Sequence, residues 1–478
     1  MLNRLPVSIL AVIACFSGCF THPSCDRFAE LILGSVLTCG RHTVSRLLCP
    51  LTSLKGHFSN YHRFFSRNRY DLWELVEVLC DLVIALLPCN CPIMLAIDDT
   101  LVRRSGSHVW SKGVYRDAVR SSHQHTQKGF GHRWLVLTIL VKMPLTSRYW
   151  ALPVMAMLYN SSKVDKKHKR HHVAKTQLIQ KMLIRLTQRF ADRQFIVLGD
   201  GGIATHELAV WCWKHKEQLT LVGRLRGDAN LYNTAARKSK SGRIPLKGRK
   251  LPKPQTLIES GQRREKAVIN GKERTFIHDS GLWYNARTKD RRTVSIRWVG
   301  VVEDSTPRPA RRKKGDPETK SPKAVKHHYF FITDPAADPK RIIELYEHRW
   351  SIEVTFAEAR QWLGLETTRE WCEKSVQRMV PMQLGLFSLV SVMWVKLLEA
   401  SKDKRSNNED PDKLQGDPGQ LHGTPCYGKT QASFADALFA VRRACWPSQL
   451  SHHLKRRCES SKTRSAFQYL MEHLATAA

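Results

Sequence analysis

Between residues 92 and 225 the chain alternates short apolar runs with helix-periodic segments, and few folds tolerate that order. The run "PIMLAIDDT" (92–100) is too short for a helix and ends in two aspartates. "HRWLVLTILVKM" (132–143) and "RYWALPVMAMLY" (148–159), parted by "PLTS", predict two antiparallel strands joined by a short turn. A helix is expected from about 175 to 190, then "QFIVLGDGG" (194–202) as a buried strand ending in an aspartate. "HELAVWCWKH" (206–215) predicts a helix and "LTLVGRL" (219–225) another strand. This succession predicts an α/β class: a mixed sheet with flanking helices. Such sheets place their sites beyond the C-terminal ends of strands, where Asp98, Asp99 and Asp200 fall. Taken singly, a strand-end aspartate is equally a turn or cap residue.

The rest of the chain divides around this core. Residues 1–90 read as a helical N-terminal region; "DLWELVEVLCDLVIALL" (71–87) is helix-periodic and Pro88 stops it. "LPVSILAVIACFSGCF" (5–20) has the form of a signal-peptide core, but the reading adopted is a buried helix. "TVSRLL" (43–48) opens either a DNA-binding or a packing helix. The core is expected over 91–226 and again over 327–400. Between them, 227–326 reads as a β-rich insertion with basic loops at 237–253 and 308–326, and an alternating strand at 293–304. A polar linker (401–425) and a helical C-terminal region (426–478) complete the division. No run is expected to span a membrane.

The chain's 77 Lys and Arg against 42 Asp and Glu give a net charge of +35 over 478 residues, which calls for a polyanionic partner. A 42% hydrophobic share is enough for a substantial core and argues against disorder throughout. The 13 cysteines are scattered and form no Cys-x-x-Cys pair, so reduced thiols in a cytosolic protein are expected, not zinc or disulfides. "KVDKKHKRHH" (163–172) supplies Lys166, Lys167, Lys169 and Arg170, and Lys181, Arg185 and Arg189 follow at four-residue spacing. Together they read as a phosphate-tracking stripe or, more plainly, a solvated face.

A long helix is expected from about 339 to 363. On it Tyr346, Arg349, Glu353 and Arg360 fall within an arc of about 60° at 100° per residue. A phenol, two guanidinium groups and a carboxylate on one side suit phosphodiester chemistry. The plain alternative is a salt-bridged solvated face, since Arg349 and Glu353 are an i, i+4 pair. Hydrolysis of a phosphodiester requires an activated nucleophile and a stabilised leaving oxygen, which two Mg²⁺ about 3.5–4 Å apart supply. Asp and Glu are the hard oxygen donors such ions prefer.

The spacing Tyr-x2-Arg-x3-Glu-x6-Lys/Arg in "YEHRWSIEVTFAEAR" (346–360) resembles the signature of the DDE transposases of bacterial insertion sequences, the Tyr-Arg-Glu-Lys group. "AIDDT" is similar to that family's first-aspartate segment and "VLGDGG" to its second, so the resemblance covers roughly 90–400. It implies an RNase H-like catalytic domain. It also implies metal ligation by Asp99 (or Asp98), Asp200 and Glu353, with Asp99 placed first because the family often has an acidic residue before the catalytic Asp-Thr. Tyr346, Arg349 and Arg360 would hold transposon-end phosphates; the family often has Lys at the last position, and Arg keeps the charge but not the shape. An insertion-domain tryptophan assists a flipped base in some members. Trp298 and Trp283 are the candidates here, with a buried core role as the alternative.

The expected protein is therefore a transposase that cleaves and transfers DNA strands with two Mg²⁺ or Mn²⁺ ions. Its partners would be double-stranded transposon ends and target. It would act as a homodimer on DNA, away from membranes, in the cytoplasm on the nucleoid. The alternatives are a metal-dependent nuclease without strand transfer, or a non-catalytic DNA-binding descendant. A basic RNA-binding structural protein fits the charge but leaves Glu353 and its neighbours without a role.

Overall fold

The computed structural model describes residues 5–51, 54–117, 120–121, 125–235, 245–288, 291–302, 327–406, 418–421 and 428–454. Most of the linker, the basic loop at 308–326, part of the loop at 237–253 and the C-terminal stretch after 454 lie outside those residues. In chain order the elements begin with α1 (Val7–Ala14), α2 (His22–Leu37), α3 (Val44–Leu48), α4 (Ser59–Ser66) and α5 (Leu72–Ile84). Strands β1 (Ile93–Arg103), β2 (Gly113–Arg116), β3 (Lys128–Lys142) and β4 (Tyr149–Tyr159) follow. Next come α6 (Ser162–Lys167), α7 (Lys175–Arg189), β5 (Phe195–Gly199), α8 (His206–Lys214), β6 (Leu219–Arg224) and β7 (Leu231–Tyr232). Then come α9 (Pro254–Glu259), β8 (Glu265–Ile269), β9 (Lys272–Tyr284), β10 (Thr293–Val302) and β11 (His327–Ile332). Among the described residues α10 (Pro339–His348), α11 (Ser351–Trp362), α12 (Glu373–Ser406) and α13 (Phe434–Leu454) follow.

Two compact units share β1. The first holds Met1–Cys91, Asp99–Met182 and Ser351–Ala478; the second holds Pro92–Asp98 and Leu183–Trp350. In the first unit β3 pairs antiparallel with β4, with a bulge between Leu137 and Thr138, and β2 pairs with the start of β3. The Arg104 N–H donates to the Phe130 carbonyl, which joins β3 to the end of β1. Residues Leu135 to Ile139 of β3 are all fully buried, so both its faces are packed. Helix α12 packs on β4, α13, α1, α4 and α5, and α11 packs on β4.

Helix α12 departs from the expectation of no apolar span. It is long and apolar enough to cross a membrane, but 72% of its apolar window is buried against the rest of the unit. That places it in the pattern of an enclosed core helix, which is hydrophobic on all sides. Stacked pairs Phe387–Phe434 (3.9 Å) and Trp150–Trp394 (5.7 Å) tie it to α13 and β4. The N-terminal apolar segment forms α1, with Ile9, Val12 and Ile13 buried. Helix α3 buries Val44, Leu47 and Leu48.

In the second unit β1 pairs parallel with β5, β5 parallel with β6, and β6 antiparallel with β11. Strands β10, β9 and β7 continue outward, with β8 on β9. Local signals explain the helices between them. Thr205 caps α8 by accepting from the Leu208 N–H, and Asp338 caps α10 with Pro339 at its first position. The mixed α/β class with flanking helices is thus the observed fold.

The long helix expected over 339–363 is two helices. The Arg349 N–H bonds the Tyr346 carbonyl (3.1 Å) and the Trp350 N–H bonds the Glu347 carbonyl (3.3 Å). These i to i+3 bonds tighten the chain into a turn that separates α10 from α11. A single 100° wheel therefore does not run from Tyr346 through to Arg360.

Candidate active site

Register places the first two aspartates. Ile97 of β1 pairs with Gly199 of β5, and Gly199 pairs with Gly223 of β6. One residue further on, Asp98 and Arg224 still lie in β1 and β6 while Asp200 follows the end of β5, with Phe330 of β11 opposite Arg224. The Tyr346 phenol feels the charges of Asp200, Arg224 and Arg349, which brings these groups together at the strand ends of the second unit. The Arg224 guanidinium meets His328 Nδ1 at 3.2 Å. Tyr346 of α10 packs its ring on Phe330 with centroids 4.2 Å apart, and Arg349 at the end of α10 reaches Asp98 Oδ2 at 3.3 Å. These groups form a ring: Asp98, Asp200, Arg224, Phe330, Tyr346 and Arg349.

The electrostatics of this ring are specific. Burial pushes the Tyr346 phenol up, and the Asp200 charge adds to that, while Arg349 and Arg224 oppose it. The phenol therefore remains a protonated donor at neutral pH. Asp200 also does the work of an ordinary turn residue. Its Oδ1 accepts from the Gly202 and Ile203 N–H groups, both at 2.9 Å, and so folds the turn into α8. Of the glycines in "LGDGG", Gly199 is the one required by space. A Cβ at Gly199 would stand 2.7 Å from the Ile203 side chain.

Asp99 points the other way, as alternation along a strand demands. It pairs with Lys175 and with Arg133 (3.4 Å), both in the first unit. Glu353 lies in the first turn of α11, part-buried, also in the first unit. Arg360 is committed within that unit. Its guanidinium contacts Glu366 (3.0 Å), the Phe356 and Leu101 carbonyls, and the Thr100 hydroxyl. These contacts fix α11 to the end of β1. Among the described residues no group of three or more His, Cys, Asp or Glu side chains gathers as a metal site.

The remaining candidates separate by exposure. Lys166, Lys167 and Lys169 are exposed around α6. Arg170 is turned inward, with Ser111 (2.7 Å), Asp165 (3.7 Å) and the Trp110 ring as partners, so it is not a free phosphate contact. Trp298 is 1% exposed in the core of β10 and presents no face to a base; Trp283 packs against His206 and Phe331. Sequence reasoning missed Arg224 and His328. The signal for Arg224 was available: it ends the strand next to the one that Asp200 follows.

Comparison with known proteins agrees with this class. The family described as DDE superfamily endonuclease matches residues 15–275, more than half of the chain, and the chain belongs to it. The matched segment contains Asp98, Asp99 and Asp200 and stops before Glu353. No curated protein matches. Among solved structures, a piggyBac transposase synaptic complex with hairpin DNA is similar at a TM-score of 0.39 and 10% identity, over 98% of this chain and 82% of that one.

Proposed function

We propose that the protein is a transposase that cuts DNA at the ends of an insertion sequence and transfers the freed strand. The observation that carries the reading is the pair of carboxylates, Asp98 and Asp200, each one residue beyond the paired Ile97 and Gly199 of adjacent parallel strands, with Arg224, Tyr346 and Arg349 about them. Two side-by-side hard-oxygen donors fit a divalent ion such as Mg²⁺ or Mn²⁺. Asp98 is preferred over Asp99 because it is paired with Arg349 in that group, whereas Asp99 is engaged by Lys175 and Arg133. Glu353 is the third ligand on the strength of its sequence motif. Two ions, when bound, supply nucleophile activation and leaving-oxygen stabilisation.

The protein's own groups do the rest. Arg349, paired with Asp98 (3.3 Å), would present its guanidinium to a phosphate oxygen, where two parallel hydrogen bonds fix orientation. Tyr346 stays protonated and donates to a second phosphate oxygen. Arg224 adds positive charge beside Asp200 and steers the backbone toward it. We further read residues 1–90 as the end-recognition region, the active species as a dimer on double-stranded DNA, and its place as the nucleoid.

The family description favours one rival, a nuclease that hydrolyses without joining. The test is cleavage and strand transfer on DNA bearing the flanking element ends, with Mg²⁺ or Mn²⁺. Wild type is compared with Asp98→Asn, Asp99→Asn, Asp200→Asn and Glu353→Gln. Joined products lost in the Asp98, Asp200 and Glu353 variants but kept in Asp99→Asn support the reading. Cleavage without joining supports the nuclease. Loss in Asp99→Asn with activity kept in Asp98→Asn refutes the assignment.

A further inference from the structure

The ribbon formed by β2 and the start of β3, in the first unit, has two unlike faces. Val114 pairs with Phe130 and Arg116 with Lys128. Alternation puts these four side chains on one face, together with Lys112 two residues before Val114. The burial pattern agrees: Val114, Arg116, Lys128 and Phe130 are exposed, while Gly113, Tyr115 and Gly131 are buried. The inner face is pressed closely to β1. A Cβ at Gly131 would stand 2.2 Å from the Val102 carbonyl oxygen, and one at Gly113 would meet the Tyr115 ring at 2.7 Å.

The outer face is unusual for a sheet edge. Phe130 is 60% exposed and Val114 50% exposed, side by side. The Lys112 ammonium lies 5.3 Å from the Phe130 ring centre. The neighbouring carboxylate, Asp117, is turned inward onto Arg103 (2.8 Å) and is 3% exposed, away from the three cations. An exposed aromatic ringed by cations is the arrangement that receives nucleic acid: cations take the backbone and the ring takes a base face or a base step. A two-stranded ribbon also has the width to enter the major groove. Among the described residues of β2 and its partner positions on β3, this face carries no Asn, Gln, Asp or Glu, the side chains that read most base edges, and Lys and Arg here flank the apolar pair.

We propose that this ribbon face is a DNA-contact surface without sequence preference, gripping target or flanking duplex. Phe130 and Val114 form its apolar centre, and Lys112, Arg116 and Lys128 its phosphate contacts. The proposal rests on the DNA-acting function above but not on catalysis.

The test is equilibrium binding to a random-sequence duplex across a salt series, using the full-length protein. Arg116→Ala/Lys128→Ala is expected to flatten the slope of log affinity against log salt by about 1.8, two phosphate contacts at about 0.9 each. Phe130→Ala is expected to weaken binding about tenfold at unchanged slope, the loss of one apolar contact at a base step. Val114→Ser should act in the same direction, which guards against a fold defect peculiar to Phe130. A double control, Lys216→Ala/Lys272→Ala, removes equal charge elsewhere. An equal slope change in that control overturns the proposal, because the ribbon would then contribute only to the general field. Altered sedimentation with unchanged DNA affinity also overturns it and makes the face a contact between copies. Ribbon effects as expected in a protein that neither cuts nor joins would uphold this surface and sink the transposase reading. A wild type that binds no duplex would sink both.

Discussion

Substituting Glu358 by Gln is expected to stabilise the protein, and to do so only above mildly acidic pH. Glu358 lies on α11 and faces the start of α13, where the Phe434 N–H donates to it and Lys429 and Asp436 are the charged neighbours. Burial pushes its carboxyl up from 4.5 to about 7; the Phe434 N–H and Lys429 pull the other way, and Asp436 adds to the rise. Lys429 gives little relief, because it is already paired with Asp436, which also accepts from the Ser433 N–H (2.7 Å) and hydroxyl (2.8 Å). The folded state thus holds its proton more tightly than the unfolded chain does. Below about pH 4.5 both states are protonated and nothing is lost. As pH rises from 4.5 to 7 the unfolded chain ionises first, and the fold loses stability until the folded carboxyl ionises as well. A rise of this size corresponds to about 3 kcal/mol at pH 8. Glutamine keeps an acceptor for Phe434 and cannot ionise. The assay is urea unfolding of wild type and Glu358→Gln at intervals from pH 4 to 8. The two midpoints should coincide near pH 4 and separate by pH 8, with the variant the more stable. A gap of constant size at all pH values, or a wild type that gains on the variant as pH rises, would refute the reasoning.

Two other outcomes follow from single contacts. Arg442, 2% exposed, donates to the Val36 carbonyl (2.6 Å) and the Thr38 carbonyl (3.0 Å) at the C-terminal end of α2, so Arg442→Ala should cost about 2–4 kcal/mol in urea unfolding, because buried carbonyls lose their donor. Gly223→Ala places a Cβ 2.1 Å from the Ala204 Cβ, and the overpacking should cost about 1–3 kcal/mol, recovered in large part by adding Ala204→Gly.

The strands were legible because burial on both faces writes itself as an unbroken apolar run. "FIVLG" is buried at every position and became β5. The two long runs either side of "PLTS" became a hairpin whose turn puts Leu145 at φ 57°. The break between α10 and α11 was not legible. "LYEHRWSIE" contains no glycine or proline and keeps helical spacing, and only the i to i+3 bonds at Arg349 and Trp350 reveal the turn. The choice between Asp98 and Asp99 was closed to sequence for a different reason. Alternation says that the two face opposite ways, but which way depends on the register of β1 against β5, a contact roughly a hundred residues distant. Arg224 was within reach of the same reading, since its strand was read, and only its pairing beside β5 was not.

That difference bears on how such a site is specified. The aspartates need no special local sequence beyond a strand that stops where they stand; their meeting is set by parallel register, which the buried runs of β1 and β5 enforce together. A slip of one residue in β1 would exchange the environments of Asp98 and Asp99, bringing a carboxylate paired with Lys175 and Arg133 into the ring and sending the other out. Register is strongly held because Ile93, Leu95 and Ile97 are all 0% exposed, so a slip would also overturn the whole packed face of the strand. Hydrophobic burial, which carries no information about phosphodiesters, thereby decides which of two adjacent acids stands beside Asp200.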